Sequence, residues 1–180
     1  VGWKLRRRSR SRNRAQRHEI AFARSRGGLP QTPRPANLHR MNPDLRARFE
    51  SLYRATDYGV EDAHLVCRLR IDEPCETLSH WLRSQGYAAA AFITAWNPRS
   101  ESRPEAENRE AQRTLEHAIE DLGLPALVAV GRAQVGAHHE PSLMVPGLSL
   151  EAAHALMRRF GQSAFVWFEL PPGRARLEWV

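Results

Sequence analysis

The sequence predicts an α/β fold of the α+β sandwich kind, a mixed sheet of about five strands with helices packed on it. Three observations lead there. Residues 88–95, 124–130 and 163–170 are short unbroken apolar runs, the form of central strands covered on both faces. Between them lie stretches whose apolar residues recur at helical spacing. Residues 63–71 alternate instead, with Ala63, Leu65, Cys67, Leu69 and Ile71 set against His64, Arg68 and Arg70. That period of two predicts a strand with one wet face, near a sheet edge.

The elements follow in order. Asn42-Pro43-Asp44 has the form of a helix opening, with Asn as cap, Pro at the first helical position and an acid in the first turn. Leu45, Phe49 and Leu52 continue it, with Tyr53 beside them, to about Thr56. The alternating strand comes next. Pro74 and Glu76 open a second helix with Leu78, Trp81 and Leu82 on its inner face, and Gly86 stops it. A long helix is expected over residues 104–122, and another over 149–160 with Ser149 as cap and Leu150, Ala153, Met157 and Phe160 inward. Residues 142–145 predict a short strand. Residues 175–180 predict a last one, after the Pro171-Pro172-Gly173 turn.

The chain has 180 residues, 42% apolar and 26% charged, a composition that suits a globular chain with a core of its own. No stretch approaches the length of a membrane span. Cys67 and Cys75 are too few for a disulfide framework, and Cys67 reads as a small core residue. A cytoplasmic location is expected.

The net charge of +7 resembles that of a nucleic-acid binder, but its distribution argues otherwise. Residues 1–40 carry Lys4 and eleven arginines against the single acid Glu19, a balance of +11. Residues 41–180 carry 15 basic and 19 acidic residues, a balance of −4. Residues 1–41 are therefore expected to be a disordered Arg-rich segment lying upstream of a true start at Met41, with residues 42–180 the domain; a nucleic-acid-binding tail and an organelle transit peptide are the alternatives. A nucleic-acid role would rest on residues 1–40 alone.

The residues that could carry chemistry gather in three segments. In FITAWNPRSESRPEAEN, residues 92–108, an apolar run ends in Thr94, Asn97, Arg99 and Ser100 just before a helix start. Ligands of α/β sheets sit beyond the carboxyl ends of strands, and a helix N-terminus favours an anion there. Pro98 is expected to push Asn97 toward extended backbone. The helix that follows has Ala111, Leu115, Ala118, Ile119 and Leu122 as its apolar stripe. At about 100° per residue Asn108 falls inside that stripe, so its amide needs buried partners, the nearest being residues 97–100. The second segment is GAHHEPS, residues 136–142, where Glu140 is a candidate general base and Ser142 a candidate ligand contact. His138 and His139 invite a metal, but neighbours on an extended chain point to opposite faces, so no metal and no cofactor are expected. In the third, Gly161 reads as a helix C-cap and Gln162 carries an amide into a buried strand. The same polar residues also suit ordinary turn and cap chemistry.

Together these segments resemble the DUF3293 family, a bacterial family of unknown function. The resemblance rests on Tyr53-x-x-Thr56-x-Tyr58, Thr94-Ala95-Trp96-Asn97-Pro98 with Ser100, Asn108, Gly131, Glu140-x-Ser142 and Gly161-Gln162. It covers the chain after Met41 and none of residues 1–40. His138 and His139 are not part of the pattern. The resemblance implies a domain but no activity.

Two functions of different classes follow. The first is a protein that binds or acts on a small anionic ligand, a nucleotide or phosphorylated metabolite, at the Thr94 to Pro98 loop. Glu140 and Asn97 would be its catalytic residues, and Thr94, Arg99, Ser100, Asn108, Ser142 and Gln162 its ligand contacts. The second is a non-catalytic interaction module in which those residues are structural. Tyr53 and Tyr58, if exposed, would then meet an unidentified partner protein. Convergence of the three segments on one pocket discriminates between them.

Overall fold

A computed structural model describes residues 43–180, and the expectations for the Arg-rich segment, Met41 and the Asn42 cap lie outside the described residues. In chain order the elements are α1 (Pro43–Arg54), β1 (Thr56–Asp62), β2 (Leu65–Leu69), α2 (Glu76–Gln85), β3 (Ala89–Ile93), α3 (Glu105–Asp121), β4 (Leu127–Ala133), β5 (His139–Pro146), α4 (Leu150–Arg159), β6 (Ala164–Glu169) and β7 (Arg174–Trp179). A 3-10 turn at Pro98–Ser100 stands between β3 and α3.

The seven strands form one sheet in the order β2-β1-β4-β5-β3-β6-β7, and every pairing of neighbours is antiparallel. The α+β class is as the sequence predicts, but the expected mixed sheet of about five strands is corrected on both counts. The extra strands are β1 and the full length of β5. In β1, TDYGVED has two Asp, a Glu and a Gly, which propensity counts against a strand. It forms because β2 and β4 hydrogen-bond it from both sides. Ala63, expected inside the alternating strand, belongs instead to a two-residue turn with His64, whose N–H donates to Asp62 Oδ1 at 3.0 Å. The rest of that alternation stands, and β2 is an edge strand.

The sheet curls. Ile71, just past β2, bridges to Ala175, and Pro74 bridges to Arg174, so the chain after one edge strand meets the strand at the other edge. Curling gives the sheet an inner and an outer face, and the side chains of each strand alternate between them. On β3, Ala90 and Phe92 join an inner cluster with Tyr58, Val60, Leu69 and Met144, into which α2 inserts Leu78 and Leu82. Ala91 and Ile93 join an outer cluster with Val145 and Trp167, covered by Leu115 and Ile119 of α3 and Met157 of α4. β3 and β6 are therefore covered on both faces, as their unbroken apolar runs predict. β4 is not, since Val128 is 59% exposed on the uncovered side.

The helix ends obey local chemistry. Gly86 caps α2 with φ 79, and Ser149 accepts the N–H of Ala152 at the start of α4. Leu122, expected in the α3 stripe, is 52% exposed, because the helix ends at Asp121. Cys75 is buried and Cys67 half-buried, both as free thiols. Among the described residues no helix is long and apolar enough to cross a membrane.

Candidate functional site

Beyond Ile93 the chain leaves the sheet, and side chains take over its backbone hydrogen bonds. Thr94 Oγ1 donates to the carbonyl of Pro141 at 2.8 Å and accepts the N–H of Trp96 at 3.1 Å. The buried N–H of Ala95 donates to Gln112 Oε1 at 3.0 Å. Gln162 Nε2 donates to the carbonyl of Trp96 at 2.8 Å. The loop is thus held by β5, α3 and the start of β6 at once. Its backbone is strained, with positive φ at Asn97 (46°), Arg99 (59°) and Ser100 (59°). The expectation of extended backbone at Asn97 is corrected to the left-handed region. Asn tolerates that region better than most residues, and the loop contacts outweigh a cost of about 1–3 kcal/mol per residue.

Asn108 is 3% exposed, and its partners are those the helical spacing predicts. The N–H of Asn97 donates to Asn108 Oδ1 at 2.9 Å, which assigns oxygen to that end of the amide. Asn108 Nδ2 then donates to Asn97 Oδ1 at 3.0 Å and to the carbonyl of Arg103 at 3.3 Å. The N–H of Arg103 also donates to Asn97 Oδ1, at 3.1 Å. A backbone N–H can only donate, so Asn97 Oδ1 must face inward and Asn97 Nδ2 must face away. Asn97 Nδ2 meets Glu140 Oε1 at 2.7 Å. Two amides thus transmit the backbone geometry of the loop to one carboxylate, which must accept there.

β5 carries Glu140 and Ser142 alongside β4, with Glu140 opposite Gly131. Ser142 Oγ donates to the carbonyl of Glu140 at 3.1 Å. Gly161, with φ 68, gives α4 its left-handed cap, and its carbonyl accepts the N–H of Arg99 at 2.9 Å. A Cβ there would lie 3.2 Å from Pro98 Cβ, so glycine lets the loop approach.

These segments wall one cavity of about 750 Å³ inside the curled sheet. Of the residues predicted from sequence, Thr94, Asn97, Ser100, Glu140, Ser142 and Gln162 line it. Asn108 stands behind the wall and touches it through Asn97. Arg99 is the correction: it is exposed and does not line the cavity, because its φ of 59° belongs to the turn that carries the chain away from the sheet. The two histidines do not converge. His138 Nε2 lies 3.3 Å from Glu140 Oε1 at the rim, whereas His139 Nδ1 lies 3.4 Å from the carbonyl of Ala137.

Sequence reasoning missed the apolar part of the wall, in which Phe49, Phe92, Trp96 and Phe165 join Tyr53 and Tyr58. These read as ordinary core residues, and only the inward curl gives them a cavity to line. Tyr58 is 6% exposed and Tyr53 half-buried, so neither is the open surface contact that the interaction reading named on condition of exposure. Tyr58 donates to the carbonyl of Tyr53 at 2.9 Å. Burial pushes both phenols up, and the charge of Glu140 adds to it, so both stay neutral. Gln112, also missed, had a signal: it lies one helical turn after Asn108 on the buried stripe. Trp96 Nε1 is buried and has no hydrogen-bond partner among the described residues.

Residues 93–165 match the profile of DUF3293, described as a protein of unknown function. Over that stretch the chain is similar to DUF3293. The matched segment begins at the last residue of β3 and ends inside β6, so it takes in the loop, Asn108, Glu140, Ser142 and Gln162. Tyr53, Thr56 and Tyr58, which line the same cavity, come from outside it. No curated protein and no solved structure matches the chain.

Proposed function

We propose that this chain binds a small molecule in the cavity enclosed by the curled sheet, with Glu140 as its polar anchor. The observation that carries this reading is the 2.7 Å bond from Asn97 to Glu140, set by an amide pair that the backbone orients. Preorganised polar groups in a mostly apolar concavity are the usual build of a ligand site, and about 750 Å³ suits a metabolite-sized ligand. The strained loop supports it too, since left-handed non-glycine residues cluster at ligand sites. Asn97 occupies Oε1 of Glu140, so the carboxylate has a second oxygen with which to accept a hydrogen bond or a proton from a ligand. The nucleotide or phosphorylated ligand expected from the helix start finds less support. Arg99 lies outside the wall, and the acid in the wall is Glu140.

Thermal-shift screening of the full chain against nucleotides, sugars, amines and phosphorylated metabolites tests this, since a ligand of the native state raises the unfolding midpoint. A shift that disappears in Asn97→Ala is the expected result. No shift from any compound, with wild type folded, counts against the cavity as a site.

The interaction-module reading draws on a different observation. Leu52 and Val135 line the cavity mouth and are 56% and 90% exposed. A partner retained by the full chain and lost in Val135→Glu would favour it.

A further inference from the structure

The inference concerns the charge of the ligand and rests on the cavity reading above. Among the described residues Glu140 is the only carboxylate in the cavity wall, and its side chain is 26% exposed. Several acids elsewhere among the described residues meet arginines: Asp57 meets Arg68 and Arg70, Glu61 meets Arg132, and Glu169 and Glu178 share Arg176. Among the described residues the one ion-pair contact of Glu140 is His138, at 3.3 Å, with that imidazole 66% exposed. Its other neighbour, Asn97, is neutral. Arg48 lines the mouth and is exposed there. A phosphate or carboxylate bound beside Glu140 would meet a like charge in a partly desolvated site, where repulsion is far stronger than in water.

The aromatic part of the wall favours the opposite sign. The aromatic rings of Tyr53, Tyr58, Phe92 and Trp96 supply polarisable surface that attracts cations, and the two phenols carry no charge of their own. We propose that the cavity takes a small organic cation, a protonated amine or amidine on an apolar or aromatic body, with its charged nitrogen donating to Glu140. Asn97 and Asn108 are positioning residues in this arrangement, holding the carboxylate so that its second oxygen meets the ligand.

The test holds the ligand body constant and varies its charge. Benzylamine, benzamidine, benzyl alcohol and benzyl phosphate are titrated at millimolar concentration against the full chain, with thermal shift and calorimetry as readouts. Glu140→Gln and a cavity-filling Ala133→Trp are run beside wild type, each first checked for folding by circular dichroism. The amine and amidine are expected to bind wild type at least tenfold more tightly than the alcohol, and the phosphate not at all. Glu140→Gln is expected to abolish that preference and Ala133→Trp to abolish binding. Alcohol or phosphate binding as tightly as amine, and blocked by Ala133→Trp, overturns the charge assignment and leaves the cavity reading intact. Failure of all four compounds overturns the charge assignment. If the wider screen is also blank, the cavity reading falls with it.

Discussion

Asn97 Nδ2 lies 2.7 Å from Glu140 Oε1, joining a left-handed loop residue to the start of a strand forty-three positions later in the chain. The bond has one possible polarity. The N–H groups of Arg103 and Asn97 fix the oxygens of Asn97 and Asn108, so nitrogen is what remains to face Glu140. A carboxylate oriented by backbone geometry through two amides is held more rigidly than one resting on a flexible surface side chain.

Removing the second amide tests this directly. Asn108→Ala leaves the N–H of Asn97 and a carbonyl of the loop without buried partners, and each costs about 1–3 kcal/mol. The urea midpoint is expected to fall by a matching amount. Asn108→Asp keeps the acceptor for Asn97 but sets a buried carboxylate oxygen against two acceptors, Asn97 Oδ1 and the carbonyl of Arg103, so its midpoint should fall at least as far. An unchanged midpoint in Asn108→Ala would mean that the amide pair is not what holds the loop.

Asn97 separates strain from bonding. Asn97→Gly removes the Glu140 bond but relieves the left-handed backbone, whereas Asn97→Ala removes the bond and keeps the strain. The glycine variant is expected to be more stable than the alanine variant by about 1 kcal/mol, measured by denaturant unfolding. Neither should bind ligand. An alanine variant as stable as the glycine one would show that the loop relaxes away from φ 46.

Two helix-capping glycines should respond differently to alanine. Gly86 has φ 79 and nothing within 4 Å of an added Cβ, so Gly86→Ala is expected to cost about 1 kcal/mol, from backbone alone. At Gly161 an added Cβ would lie 3.2 Å from Pro98 Cβ, and the loop would have to give. Gly161→Ala should cost about 1 kcal/mol more than Gly86→Ala. It should also weaken ligand binding, which Gly86→Ala should not.

Asp57 makes stability depend on pH in acid. The Arg70 guanidinium holds its carboxyl below the usual range, with the charge of Arg68 and a bond from Gln134 adding to the effect. A depressed folded-state value means that the unfolded chain binds the proton more readily, so stability rises with pH through that range. The contribution is complete above the unfolded value of about 4 and is lost as pH falls through the lower folded value. Urea midpoints measured from pH 7 to pH 2 should fall less steeply at the acid end in Asp57→Asn than in wild type. An unchanged slope would remove Asp57 from the account.

Tyr58 is both cavity wall and core. Its hydroxyl donates to the carbonyl of Tyr53, and its ring meets Phe92 edge-on at 5.1 Å between centroids. Tyr58→Phe is expected to cost about 1 kcal/mol, the worth of one hydrogen bond, and Tyr58→Ala about 3–5 kcal/mol. A calorimetric midpoint series over wild type, Phe and Ala at this position would check that ordering.

Local order decided much of this protein and is legible in its residues. Helix starts and stops at Ser149, Gly86 and Gly161 depend on neighbours within a turn, so the chain states them directly. Asn108 could be placed on a buried face because a helix repeats at a known angle, and a buried amide must find partners close by. The unbroken apolar runs of β3 and β6 named the central strands, since only doubly covered strands need no polar side.

What the tertiary structure alone decided is distance across the sheet. β1 owes its existence to strands on both sides rather than to its own residues, so no local pattern announced it. The antiparallel order and the curl bring Tyr53, Tyr58, Phe92, Glu140 and Gln162 around one space, though each alone reads as core, cap or surface. Arg99 went the other way, because a left-handed turn, invisible in residue type, carried it outside. Periodicity tells which side of its own element a residue occupies. Only pairing and curvature tell which residues of other elements stand opposite, and the candidate site is made of those oppositions.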